Sequence, residues 1–277
     1  QRTKDCKLQI TFGSSANAAS GNLSHSQDLF STKGTGLATS ITLYYNSLDP
    51  YSGPLGKGWT HNYDMAVTEN SDGSVVLREG DGGRKLYTKT GAGYLSQPGD
   101  YSTLLKNADN TFVITQKDGI KYNFGTDGKI TSIADRNGNT MTFAYTNGNL
   151  TAITDPAGRI TTISYDSANH VTSITAPGSN IYSFTVSNDM LTSVTYPGGG
   201  TWTYTYDSDA YMLTKTDPNG NTTTYTYDSD HRVLTTTDPE GKTRTISYPT
   251  GTDTIKTTTF TETDGGLWQY TYDTQAG

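Results

Sequence analysis

Beyond residue 135, apolar and polar positions alternate along the chain. In Thr201-Trp-Thr-Tyr-Thr-Tyr206 the large residues Trp202, Tyr204 and Tyr206 interleave with Thr201, Thr203 and Thr205. In residues 139–145, Met141, Phe143 and Tyr145 share one parity. A period of two predicts a half-buried strand. A second segment then returns: Leu150-Thr-Ala-Ile, Val171-Thr-Ser-Ile, Leu191-Thr-Ser-Val. Its apolar residues fall three apart, which strict alternation does not explain, and this predicts a bulge or twist. Asp-Pro-x-Gly phrases and polar runs such as Asp207-Ser-Asp separate the strands. Proline presets φ near −65° and glycine accepts positive φ, so these phrases are turns. Each unit therefore reads as a hairpin.

The hairpins recur. Gly138, Gly158, Gly178, Gly198, Gly220 and Gly241 are separated by 20, 20, 20, 22 and 21 residues. Tyr145, Tyr165, Val186, Tyr206, Tyr227 and Tyr248 run in phase with them, and Asp166, Asp207 and Asp228 follow three of the tyrosines. One period carried by two markers defines a repeat array. Two strands per repeat at ~4.8 Å advance a sheet by roughly 10 Å, so six or seven repeats span about 60–70 Å. That predicts a curved ribbon, too short to close around another folded protein.

Residues 1 to about 115 lack the repeat. Short strands are predicted at Leu37–Tyr45, Gly73-Ser-Val-Val-Leu, Arg84-Lys-Leu-Tyr, Thr111-Phe-Val-Ile-Thr and Ile120-Lys-Tyr-Asn-Phe. A Gly/Pro-dense loop, residues 50–59, ends in the aromatic anchor Trp59. The expected fold is all-β: a continuous curved antiparallel sheet of hairpins, a partial β-shell, over 116–277. A non-repetitive β domain over 1–115 caps its open end, as solenoid-like arrays require.

Composition narrows the function. Hydrophobic residues make up 32% and charged residues 17% of the 277, while Thr reaches 51 and Gly 30. No stretch approaches the ~20 apolar residues of a membrane helix. Scarce helix formers argue against a bundle, and abundant aromatics argue against disorder. The net charge is −7: +1 before Ile130 and −8 from Ile130 onward. An acidic surface repels phosphate, so nucleic acid is not an expected partner. Cys6 is the one cysteine, which excludes an internal disulfide; it reads as an incidental thiol rather than an intermolecular bridge. The chain begins at Gln1, consistent with a removed leader or excision from a longer chain.

Candidate chemistry is sparse. His25, His61, His170 and His231 form no recognisable catalytic or metal spacing. His170 and His231 fall in corresponding turns and are expected to face water, while His61 is expected to pack. No catalytic residue, cofactor or metal is assigned, and no enzymatic activity is expected. Clustered Asp207/Asp209 and Asp228/Asp230 offer oxygens for calcium, but two or three oxygens fall short of the 6–8 that Ca²⁺ prefers, and tight turns select the same residues. Trp202, Tyr204, Tyr206, Tyr225 and Tyr227 form an aromatic stripe. It is a candidate glycan-stacking surface, or else the packed inner face of the sheet.

Gly53-Pro-Leu-Gly-Lys-Gly-Trp-Thr-His-Asn-Tyr63, Tyr44-Tyr-Asn-Ser, Gly73-Ser-Val, Asp81-Gly and Pro98-Gly-Asp-Tyr101 resemble the domain that precedes the repeats in bacterial Rhs (rearrangement hotspot) proteins. The Thr-Tyr-Thr-Tyr-Asp and Asp-Pro-x-Gly units resemble YD repeats, which also occur in wall-associated proteins, Tc toxins and teneurins. The resemblance implies a β-sheet wall that spirals into a hollow shell, holding a C-terminal toxic domain in Rhs effectors and Tc toxins, or serving adhesion in teneurins. The family's self-cleaving core and toxin domain do not occur in these 277 residues, so the chain looks like an N-terminal portion of a longer protein. The expected function is a non-catalytic, secreted or cell-surface bacterial scaffold. It would shield a toxin or effector polypeptide. The alternatives are an adhesion or carbohydrate-binding module, or a structural protein that self-associates through exposed sheet edges.

Overall fold

A computed structural model describes residues 16–34, 36–251 and 253–274. Cys6 lies outside the described residues. Among the described residues every regular element is a strand. Seventeen strands, from Thr103–Lys106 to Leu267–Asp273, pair in chain order in one sheet. The terminal two have a single neighbour each, so the sheet is open. The sequence pattern thus predicts the fold class correctly.

The turns follow from their side chains. At Asp217, the backbone N–H of Gly220 donates to the Asp217 carbonyl (3.0 Å) and the Asp217 N–H donates to the Asn221 carbonyl (3.0 Å). Oδ1 of Asp217 accepts the N–H groups of Asn219 (2.8 Å) and Asn221 (2.9 Å). Gly220 takes φ +86° to close the loop. This is a type I turn followed by a left-handed residue, a common hairpin connection. Asp135, Asp155, Asp166, Asp207, Asp228 and Asp238 accept the same pair of N–H groups. A Cβ at Gly138, Gly158, Gly198, Gly220 or Gly241 would meet nothing within 4 Å. Their positive φ, not crowding, therefore selects glycine.

A bulge explains the apolar residues three apart. Ala144 pairs with Ala152 but Tyr145 pairs with Leu150, which leaves Thr151 as an extra residue. The same slip occurs at Ser164/Tyr165, Thr205/Tyr206 and Thr226/Tyr227. One extra residue inverts the parity of the returning strand. Leu150 and Ile153 thus point to the same face, as do Val171 and Ile174, and all four are buried; Leu191 and Val194 are buried as well.

Two compact units divide the chain. In one, residues 16–26 and 45–59 accompany the described residues from Phe184 onward. The Trp59 ring packs 5.0 Å from Tyr204, and the N–H of Met212 donates to the Tyr45 hydroxyl (3.1 Å). In the other unit, residues 27–44 and 60–183 come together. There Tyr63 packs 5.2 Å from Phe143, and Phe30 stacks on Tyr182 at 5.5 Å. Arg159 pairs with Asp155 and donates to the Lys33 carbonyl (2.6 Å) and to Thr32 Oγ1 (3.1 Å). In each unit the N-terminal segments therefore lie against aromatic residues of the repeats. A single sheet leaves its apolar face open, and a second layer must bury it.

Candidate functional site

The tyrosine-bearing face concentrates the chain's aromatic chemistry. Tyr165, Tyr206, Tyr227 and Tyr248 donate their hydroxyls to the carbonyls of Leu150 (2.7 Å), Leu191 (2.6 Å), Met212 (2.7 Å) and Val233 (2.8 Å). Each acceptor lies fifteen residues upstream, in the preceding hairpin, at the point where the returning strand begins. Burial pushes the Tyr206, Tyr227 and Tyr248 hydroxyls far above the ordinary tyrosine pKa, so they remain protonated donors. In two of them the residue just before the acceptor covers the ring: Tyr211 packs 5.4 Å from Tyr227, and the Arg232 guanidinium lies 4.6 Å from the Tyr248 ring. The Lys129 ammonium lies 5.4 Å from the Tyr145 ring. The repeated tyrosine is thus a clasp between consecutive hairpins, and it uses both its ring and its hydroxyl.

The aromatic stripe is largely covered by the chain itself. Tyr204 and Tyr225 are 2% and 1% exposed. Trp202, Tyr206 and Tyr227 are half-buried. His25 lies 6.4 Å from Trp202 and 6.3 Å from Tyr204. The Trp59 indole N–H donates to the Tyr206 hydroxyl at 2.9 Å. What stacks against Tyr204 is the chain's own Trp59, so Tyr204 and Tyr225 present no open ring face to a sugar.

The acidic turns spend their oxygens on backbone. Hydrogen bonds from the Asn139 and Asn221 side chains, with backbone N–H groups, hold the Asp135 and Asp217 carboxyls below the usual range. For Asp166 the largest cause is the His170 backbone N–H. Among the described residues, no group of three or more His, Cys, Asp or Glu side chains is placed to hold a metal ion.

His61 is buried, and its Nδ1 accepts the Tyr63 N–H at 3.2 Å. Burial lowers its pKa. The two turn histidines differ from their expected equivalence. His231 occupies the left-handed position at φ 59° and lies flat on Tyr211, with centroids 4.4 Å apart. His170 sits one position later, with Asn169 at φ 66° ahead of it, and its Nδ1 is 3.5 Å from Asp166. Neither ring simply faces water, because Tyr211 and Asp166 respectively engage them. Sequence reasoning marked Trp59 as an anchor without a target. It missed Tyr45, Arg159 and the clasp, all of which depend on contacts distant in sequence.

A family described as Teneurin YD-shell matches residues 103–275, and one described as Domain of unknown function (DUF6531) matches residues 13–87. The chain is 31% identical over 133 residues to the tRNA nuclease WapA of Bacillus subtilis (strain 168). It is 30% identical over 133 residues to the tRNA3(Ser)-specific nuclease WapA of Bacillus spizizenii. Both alignments cover 47% of this chain and only 6% of those proteins. Among solved structures, TcdB2-TccC3 without its hypervariable C-terminal region aligns over 91% of this chain and 15% of that one, at a TM-score of 0.39 and 13% identity. A Photorhabdus luminescens Tc holotoxin pore aligns over 91% and 14%, also at 0.39 and 13%.

Proposed function

Because the chain belongs to the teneurin YD-shell family, we propose that its sheet is a length of wall in a longer bacterial protein, exported or displayed at the cell surface, and that the wall screens an enclosed toxin or effector polypeptide. The role is steric and non-catalytic. One observation carries this reading: the ladder is unbroken, each strand from Thr103 to Asp273 pairing with the next. Proteases bind extended, unpaired backbone, and a paired strand offers none without local opening. The match takes in only 6% of each WapA relative, so the nuclease activity in their names is not carried over to this chain. No helix among the described residues is long and apolar enough to cross a membrane.

Limited proteolysis tests the wall. Residues 135–248 are expected to survive while loops outside the ladder are cut, and rapid cutting throughout 135–248 overturns the proposal. A second reading has its own observation. The terminal strand Leu267–Asp273 has one neighbour, and its Leu267 and Trp268 are 64% and 50% exposed. Such an edge templates pairing with another strand. Concentration-dependent sedimentation supports self-association, and a strict monomer removes it.

A further inference from the structure

Three Asn-Gly pairs occur in the chain: Asn137-Gly138, Asn147-Gly148 and Asn219-Gly220. All six residues are exposed, so access to solvent does not separate them. Backbone geometry does. Asn137 and Asn219 sit inside aspartate-led turns. The N–H of Gly138 donates to the Asp135 carbonyl (3.1 Å), and that of Gly220 to the Asp217 carbonyl (3.0 Å). The N–H groups of Asn137 and Asn219 donate to Oδ1 of the same aspartates, each at 2.8 Å. Asn147-Gly148 is instead the whole loop between strands Thr140–Thr146 and Asn149–Thr154. Both residues take positive φ, 52° and 84°, the pattern of a two-residue type I′ hairpin closed by the Thr146/Asn149 pair. Among the described residues, neither the Asn147 carbonyl nor the Gly148 N–H has a hydrogen-bond partner. The peptide plane between them is held only by its own torsions.

That plane carries the nucleophile of an intramolecular reaction. Once its proton passes to hydroxide, the Gly148 nitrogen can attack Cγ of the Asn147 side chain. The N–Cγ bond forms, the Cγ–Nδ2 bond breaks, and Nδ2 leaves as ammonia with a proton taken from water. The product is a cyclic imide, which water then opens. Breaking the N–Cγ bond gives aspartate. Breaking the bond from nitrogen to the main-chain carbonyl carbon gives isoaspartate, whose backbone runs through the side chain. Ring closure needs the plane to rotate until the nitrogen faces Cγ. At Gly138 and Gly220 that rotation breaks a hydrogen bond, and at Gly148 it breaks none. A cation also stands beside the loop, since Lys129 Nζ donates to the Gly148 carbonyl at 2.6 Å. A positive charge there favours the ionised nitrogen.

We infer that Asn147 is a site of spontaneous modification, converted by the Gly148 nitrogen to aspartate and isoaspartate while Asn137 and Asn219 persist. The reaction takes only water and hydroxide from outside. It sets a negative charge beside the Lys129 ammonium. Isoaspartate also lengthens the backbone of a loop whose length fixes the pairing of its two strands. The inference stands apart from what the sheet encloses.

The test ages the whole 277-residue chain in mildly alkaline buffer, both folded and in guanidinium. Digestion and mass spectrometry follow each asparagine by its amide-to-acid mass change, and chromatography separates aspartate from isoaspartate. In the folded chain Asn147 is expected to convert roughly tenfold faster than Asn137 or Asn219, the worth of one hydrogen bond. In guanidinium the three are expected to convert at similar rates, because the turns that distinguish them are gone. Lys129→Gln should slow Asn147 roughly fivefold, the effect of a unit charge a few ångströms away in water, and leave the other two unchanged. An unaltered Asn147 rate in that variant removes the part assigned to the ammonium. Equal rates at the three sites of the folded chain, or an Asn147 that persists while Asn137 or Asn219 converts, overturns the inference.

Discussion

The indole N–H of Trp59 donates to the hydroxyl of Tyr206 at 2.9 Å, while that hydroxyl donates onward to the Leu191 carbonyl at 2.6 Å. A residue of the non-repetitive region is thereby joined to the clasp between two hairpins. Tyr206→Phe strands the indole N–H and the carbonyl together, and it should cost about 1–3 kcal/mol. Tyr248→Phe removes only the bond to Val233 and should cost about 0.5–1.5 kcal/mol. Chemical denaturation of both variants checks the order, and equal losses would mean that the Trp59 bond contributes nothing.

Ala210 holds φ 68°, a left-handed conformation that its Cβ resists. Relief of that strain is worth about 1–2 kcal/mol, offset by about 0.4–1 kcal/mol of unfolded-chain entropy when glycine replaces alanine. Ala210→Gly should therefore raise the thermal midpoint slightly. His231→Gly should gain less, because it also discards the stack on Tyr211.

Two glycines separate conformational from steric cost. Gly138→Ala meets open space, so only its φ of +85° penalises it, by about 1–2 kcal/mol. Gly128→Ala would place Cβ 2.2 Å from the Val67 carbonyl oxygen at φ +77°. It should cost about 2–4 kcal/mol, adding overpacking to backbone strain. Thermal unfolding of the pair distinguishes the two contributions.

His61 predicts an acid-side slope. Its folded pKa lies below the unfolded value of about 6.5 because burial disfavours the charged ring. As pH falls below about 6.5 the unfolded chain takes up a proton that the folded chain refuses. Stability attributable to this group is thus complete above the unfolded pKa and lost as pH falls toward the folded one. Urea midpoints across that window should fall with pH in the parent chain and lose part of that slope in His61→Gln.

Much of the architecture was legible because its signals are local. Period-two alternation marks strands such as Thr201–Tyr206, and Asp-Pro-x-Gly encodes its turn through a carboxylate, a fixed φ and a left-handed glycine. The three-residue spacing of Leu150 and Ile153 also carried its meaning, since a bulge is the simplest way to place both on one face. What covers that face was not legible. Tyr204 reads identically whether a sugar or Trp59 lies on it, and the partners are 145 residues apart in the chain. Nor does a backbone carbonyl such as that of Leu191 leave a trace in the sequence, so the target of each tyrosine hydroxyl was hidden. The offset of His170 from His231 escaped for a related reason. The turn aligns on whichever residue takes positive φ, Asn169 in one case and His231 in the other, not on residue type.

The clasp also acts as a ruler. The span from acceptor carbonyl to tyrosine is always fifteen residues. The span from tyrosine to the next returning strand is five, as from Tyr145 to Leu150, or six, as from Tyr165 to Val171. Drift in the repeat length is therefore absorbed along one rim, in the short links after the tyrosines. Insertions at those links can lengthen or decorate that rim while every hairpin keeps its registry with the one before.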